Sequence, residues 1–105
     1  MAHFFTYLVK CVDGKTYSGH TSNLRRRLVE HENGRVPFTA PRRPVRLLWF
    51  HLYATRGEAR KREKMFKKGR TQRKTIDALV ASFPKTALAA FTQGDPYRVK
   101  PDTDL

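Results

Sequence analysis

Five residues whose side chains handle protons or charge fall in an order that one small fold can gather. Tyr7 and Tyr17 stand on either side of an Asp13-Gly14 turn signal. Arg27 and His31 are four residues apart, which makes two side chains neighbours on a helix. Glu63 is a carboxylate set among Arg60, Arg62, Lys64 and Lys67. A tyrosine serves as a base at neutral pH only if its pKa, ordinarily near 10, is brought down. A histidine titrates close to neutrality and can act as a base or donate to a phosphate. Each has a plainer alternative: half-buried strand aromatics for the tyrosines, a packed core-edge ring for His31, a salt-bridged surface residue for Glu63. Glu58 competes with Glu63 for any carboxylate role.

The elements that must position these residues can be read along the chain. Residues 4–10 (FFTYLVK) read as a strand and 15–19 (KTYSG) as its hairpin partner. A two-residue Asp13-Gly14 loop would set Tyr17 opposite Lys10 and turn the two tyrosines to opposite faces. A three-residue loop, Val12 to Gly14, sets Tyr17 opposite Val9 and brings both to one face. It needs a left-handed residue, and Gly14 suits it. Ser22 or Asn23 can cap a helix that ends at Gly34. On it Arg27 and His31 share a side with Leu24 and Leu28, while Arg25 and Arg26 point elsewhere. Residues 35–44 read as a loop with three prolines, and 45–53 as a buried strand. A basic helix follows over 57–68, with Glu63 at the rim of its apolar side. Thr71 can cap a third helix, and 85–91 can add a short turn. The expected fold class is α+β (α/β): a small three-stranded, mainly antiparallel sheet flanked by helices. Residues 1–91 form the expected domain and 92–105 a loose tail.

Composition narrows the partners. The 105 residues carry 22 Lys or Arg against 9 acids, a net +13, which points to a polyanion, either nucleic acid or an anionic membrane surface, rather than a small-molecule substrate. Residues 56–74 hold ten basic and two acidic residues, a local +8. Residues 23–46 hold seven and two, a local +5. Together the two segments account for the whole excess. Cys11 is the single cysteine, so an internal disulfide and a Cys-based zinc site are excluded. His3, His20 and His51 lack metal-ligand spacing, although His20 follows Gly19 directly and can reach a phosphate. The opening residues lack a secretory pattern and no apolar run spans a bilayer, so a cytoplasmic protein away from membranes is expected. Phe4, Phe38 or Trp49, if exposed, can stack on unpaired bases; Trp49 sits in an apolar run and reads as core.

The ordered set resembles the GIY-YIG nuclease superfamily, in particular its small single-domain bacterial members. Phe5-Thr6-Tyr7 stands at the first triplet and Tyr17-Ser18-Gly19 at the second. Asn23-Leu24-Arg25-Arg26-Arg27 follows, then His31. The segment Ala59 to Lys64 resembles the stretch that holds the family's metal-binding glutamate. The resemblance covers roughly residues 4–80; Phe5 and Thr6 depart from the usual triplet, and an Asn often found late in the domain has no clear counterpart. It implies a metal-dependent endonuclease that hydrolyses phosphodiester bonds in DNA. In that reading Tyr7, Tyr17, Arg27, His31 and Glu63 are catalytic: a tyrosine helps deprotonate water, Arg27 holds the phosphate, and Glu63 ligates Mg2+ (or Mn2+). Arg25, Arg26, Arg35, Arg42, Arg43, Arg60, Lys64, Lys67 and Lys68 are then expected to contact the nucleic acid. The alternative is a nucleic-acid-binding protein that keeps the fold without turnover.

Overall fold

The computed structural model describes residues 3–67, 72–88 and 91. The chain forms β1 (Phe4–Lys10), β2 (Thr16–Thr21), α1 (Leu24–Glu32), a short 3-10 turn (Ala40–Arg42) and β3 (Arg46–Tyr53). Then come α2 (Arg56–Phe66), α3 (Gln72–Ser82) and α4 (Lys85–Leu88). The strands make one antiparallel sheet in the order β2-β1-β3. This is the predicted architecture. The expected Thr71 cap, Lys68 and the tail 92–105 lie outside the described residues.

The hairpin takes the three-residue loop. The Cys11 N–H donates to the Lys15 carbonyl at 2.8 Å, and the Gly14 N–H donates to the Cys11 carbonyl at 3.0 Å. Gly14 has φ +86°, a left-handed conformation that side chains with a Cβ resist. The register is therefore Val9 opposite Tyr17 and Tyr7 opposite Gly19. Tyr7 and Tyr17 share a face, with ring centroids 6.3 Å apart.

Alternation along β1 sorts the core into two layers. Tyr7 and Val9 pack with Leu24 and Leu28 of α1 and with Leu47. Leu8 points the other way and packs with Leu48, Trp49 and Phe66, flanked by Ile76, Leu79, Val80 and Phe83 of α3 and the turn after it. A bulge makes this arrangement possible. β1 pairs Leu8 with Trp49 but Val9 with Leu47, so Leu48 is an extra residue. It lets Leu48 and Trp49 both join the α2–α3 side. Trp49 is thus core, only 6% exposed. Phe91 closes the other layer against Phe50 and Phe5, with centroids 5.0 and 6.1 Å away.

Side chains set the helix starts. The Asn23 carboxamide accepts from the Arg26 N–H at 3.0 Å and caps α1. The Thr55 hydroxyl accepts from the Glu58 N–H at 3.2 Å, so α2 begins one residue before the predicted Gly57. Thr55 also donates to the Glu58 carboxylate at 2.9 Å. Glu58 is exposed, and its carboxylate is engaged by Thr55 at this helix start. Thr6, on the α2 face of β1, donates to the Ala59 carbonyl at 2.7 Å and fixes α2 on the sheet.

Candidate active site

On the α1 face, Tyr7 crosses the sheet over the backbone of Gly19. A Cβ placed on Gly19 would lie 2.6 Å from the Tyr7 hydroxyl oxygen, closer than packed atoms tolerate. Gly19 is needed here for its missing side chain. The ring it admits is fully buried.

The Tyr7 hydroxyl meets two side chains of α1. His31 Nε2 is 2.8 Å away, and Arg27 Nε donates to the same oxygen at 3.4 Å. The other nitrogen of His31, Nδ1, is 2.7 Å from the Thr39 hydroxyl, which itself lies 3.4 Å from the Val36 carbonyl. Arg27 can only donate to the Tyr7 oxygen, so the Tyr7 proton is assigned to Nε2 as its one acceptor among these partners. In that assignment Nδ1–H donates to the Thr39 hydroxyl, whose own proton is left for the Val36 carbonyl. The proton-donating order is Tyr7 to His31 to Thr39 to Val36.

Burial sets the charges of this network. His31 is 0% exposed. Its pKa is pulled down to about 4, first by burial and then by the Arg27 charge, so the ring is neutral at pH 7. The Tyr7 hydroxyl is pushed well above its ordinary pKa by burial, which outweighs the hydrogen bond from Arg27. Base work at neutral pH needs a lowered tyrosine pKa, and burial of Tyr7 works against this by more than one guanidinium compensates. Burial alone would weaken the charge on Arg27, but its hydrogen bonds to Tyr7 and Glu30 more than offset this, so it stays a cation. Its Nη1 donates to Glu30 at 3.0 Å, and it also engages Tyr17. Tyr17 is half-buried, with the His31 ring centroid 5.2 Å away and that of Phe38 5.7 Å away.

Glu63 stands on the other side of β2. Its Oε1 is 3.2 Å from Nδ1 of His20, and its Oε2 is 3.6 Å from the Lys67 ammonium. Alternation turns His20 away from Tyr17 and toward α2. The two halves of the site meet at the free edge of β2, and Lys67 spans them: its ammonium also lies 5.9 Å from the Tyr17 ring. The Glu63 charge reaches Tyr7 and adds to the rise of its pKa. The sequence offers His20 only as a phosphate contact; hairpin parity also carries a signal for its place beside Glu63, because its face is the one α2 covers. Thr39 had no such signal. It is a buried residue in an irregular loop.

A divalent ion needs oxygen donors and tolerates waters. Among the described residues no group of three or more His, Cys, Asp or Glu could hold one. The available donor set is Glu63 with His20 beside it. This fits an ion that draws its remaining ligands from water and phosphate.

The expected nucleic-acid contacts divide. Arg26, Arg35, Arg60, Lys64 and Lys67 are exposed. Arg42 is tied to Asp13 at 3.1 Å and to the Phe38 carbonyl at 2.7 Å, with its guanidinium 4.4 Å from the Phe38 ring. Arg43 donates to the Ala40 and Glu32 carbonyls at 2.8 and 3.2 Å. These two hold the 35–44 loop that carries Thr39. Arg25 is half-buried, 5.8 Å from the Phe91 ring. Phe38 is 41% exposed, whereas Phe4 lies under the Arg56 guanidinium at 4.9 Å. No helix among the described residues is long and apolar enough to cross a membrane.

Comparison with known proteins gives the family. A UPF0213 protein of Listeria monocytogenes is 46% identical over 77 residues, covering 72% of this chain and 82% of that protein. One from Bacillus pumilus is 39% identical over 75 residues, covering 70% of this chain and 76% of that protein. The solution structure of the UPF0213 protein BH0048 from Bacillus halodurans aligns with a TM-score of 0.49 at 28% identity, over 73% of this chain and 84% of that one. The family model for the GIY-YIG catalytic domain matches residues 3–76. The chain therefore belongs to the GIY-YIG family, whose members are typically nucleases, and is related to the UPF0213 proteins.

Proposed function

We propose that the protein is a metal-dependent endonuclease that hydrolyses phosphodiester bonds in DNA. The observation that carries this reading is the shared Tyr7 hydroxyl. It gives to a neutral His31 and receives from a cationic Arg27. A plain core tyrosine needs one partner, whereas this one joins a proton acceptor to a phosphate-binding cation.

The geometry supports the following roles. Arg27 is one-third exposed, so it can turn onto a phosphate oxygen. That movement frees a lone pair on the Tyr7 oxygen. A water there can give its proton to Tyr7 while Tyr7 passes its own to His31 Nε2, which the departing Arg27 charge leaves more basic; the hydroxide bonds to phosphorus as the bond from phosphorus to the leaving sugar oxygen breaks, and that oxygen takes a proton from water. Tyr17 lines the open side and contacts Arg27. Glu63, with Lys67 displaced, would hold the divalent ion. An ion held there would supply Lewis-acid chemistry, offsetting the charge that builds on the phosphate oxygens. The exposed residues Arg26, Arg35, Arg60, Lys64 and Lys67, together with Lys68, supply phosphate contacts that set position rather than sequence.

The test is cleavage of end-labelled single-stranded and duplex DNA with Mg2+ or Mn2+, with EDTA, and by Arg27→Ala and Glu63→Ala. Cleavage by the wild type that EDTA and both substitutions abolish, with binding retained, supports the reading. Binding without cleavage by the wild type on every substrate sinks it and leaves a binding protein.

A further inference from the structure

His20 and Glu63 form a pair that the proton network on the α1 face does not use. They are 43 residues apart and come from different elements, the end of β2 and the middle of α2. Their side chains are 23% and 15% exposed, so the pair sits at a rim that solvent and a solute can reach. The carboxylate has one oxygen toward His20 and the other toward Lys67, whose side chain is 54% exposed and can leave without being stripped of water.

The spacing of the pair is informative. Two donors in adjacent positions of an octahedral ion, each about 2.1 Å from it, lie about 3.0 Å apart. His20 Nδ1 and Glu63 Oε1 are 3.2 Å apart. A few tenths of an ångström of rotamer adjustment would let both grip one ion, with four positions left for water and phosphate oxygens. A carboxylate alone suits hard Mg2+. An added imidazole nitrogen shifts the balance toward Mn2+ and the borderline ions beyond it.

We infer that His20 is a second protein ligand to the divalent ion held by Glu63, and that it biases the site toward Mn2+ and similar nitrogen-tolerant ions over Mg2+. The inference rests on the reading of Glu63 as a metal ligand. It adds a nitrogen donor and a metal preference that the carboxylate alone does not supply.

Pulsed electron paramagnetic resonance of Mn2+ bound to the full chain tests it without any need for catalysis. The wild type is expected to bind Mn2+ with one directly coupled imidazole nitrogen. His20→Gln, which keeps a hydrogen-bond donor for Glu63 without an imidazole, is expected to lose that coupling and about tenfold in Mn2+ affinity, with a smaller change for Mg2+. Glu63→Gln is expected to lose binding. Mn2+ bound through Glu63 with no nitrogen coupling, or with affinity unchanged in His20→Gln, overturns the role of His20 and leaves that of Glu63 standing. Failure of the wild type to bind Mn2+, or binding that Glu63→Gln leaves unchanged, overturns the metal reading itself. Circular dichroism of each variant confirms that it is folded.

Discussion

The Tyr7 hydroxyl lies 2.8 Å from Nε2 of a histidine that is itself wholly buried and neutral. Both residues are needed for the other to be tolerable in the core. His31 without Tyr7 would leave a buried acceptor unpaired, at a cost of about 1–3 kcal/mol. Tyr7→Phe should therefore lower stability by about that amount even though the ring remains. Chemical denaturation measures it, and an unchanged midpoint would mean that the hydrogen bond adds nothing to the fold.

The depressed pKa of His31 makes stability depend on pH. Between pH 6.5 and about 4 the unfolded chain takes up a proton that the folded ring refuses. Stability from this group is complete above pH 6.5 and declines as the pH falls toward 4, by ~3 kcal/mol at most. Thermal melts of the wild type and His31→Gln at pH 7 and pH 4.5 separate this group from the other acid-sensitive ones. The wild type is expected to lose more between the two conditions than the variant. Equal losses would contradict the assignment.

Gly19 and Gly14 predict two different kinds of damage. Gly19→Ala drives a Cβ into the Tyr7 hydroxyl, so the ring must leave His31. A loss of about 1–3 kcal/mol is expected, together with loss of any activity that depends on Tyr7. Gly14→Ala meets nothing within 4 Å and is strained only through its φ of +86°. It should cost roughly 1–2 kcal/mol and leave the site intact. Comparing the activity that remains in the folded fraction of each variant distinguishes the two. Equal residual activity would argue against a role for the Tyr7–His31 contact.

Much of this arrangement was legible from residues 4–31. Asp13-Gly14 and strand parity together put Tyr7 and Tyr17 on one face, and the four-residue step from Arg27 to His31 put both beside Leu24 and Leu28. What stayed hidden depends on contacts that periodicity does not encode. Thr39 reaches His31 from an irregular loop. Glu63 meets His20 across 43 residues of sequence. The guanidiniums of Arg42 and Arg43, expected phosphate contacts, also bond to loop and helix carbonyls and to Asp13, which composition does not encode. The upward push on the Tyr7 pKa comes from its depth of burial, a property of the packed fold.

The basic residues should separate into two functional sets. Arg42→Ala removes the Asp13 and Phe38 bonds and is expected to lower the melting temperature. Arg60→Ala and Lys64→Ala, both exposed, are expected to leave melting nearly unchanged and weaken DNA binding for all sequences alike. Each should also reduce the salt slope of binding by about one. Salt-dependent binding isotherms check this, and an unchanged slope in both exposed variants would remove α2 from the interface.

The most direct measurement is cleavage of a defined DNA in heavy-oxygen water. With Mg2+ or Mn2+ the wild type is expected to place one heavy oxygen in the terminal phosphate of the product. EDTA and Glu63→Ala are expected to abolish both product and label. Absence of cleavage by the wild type, or labelled product that persists undiminished in EDTA and in Glu63→Ala, would contradict metal-dependent hydrolysis at this site.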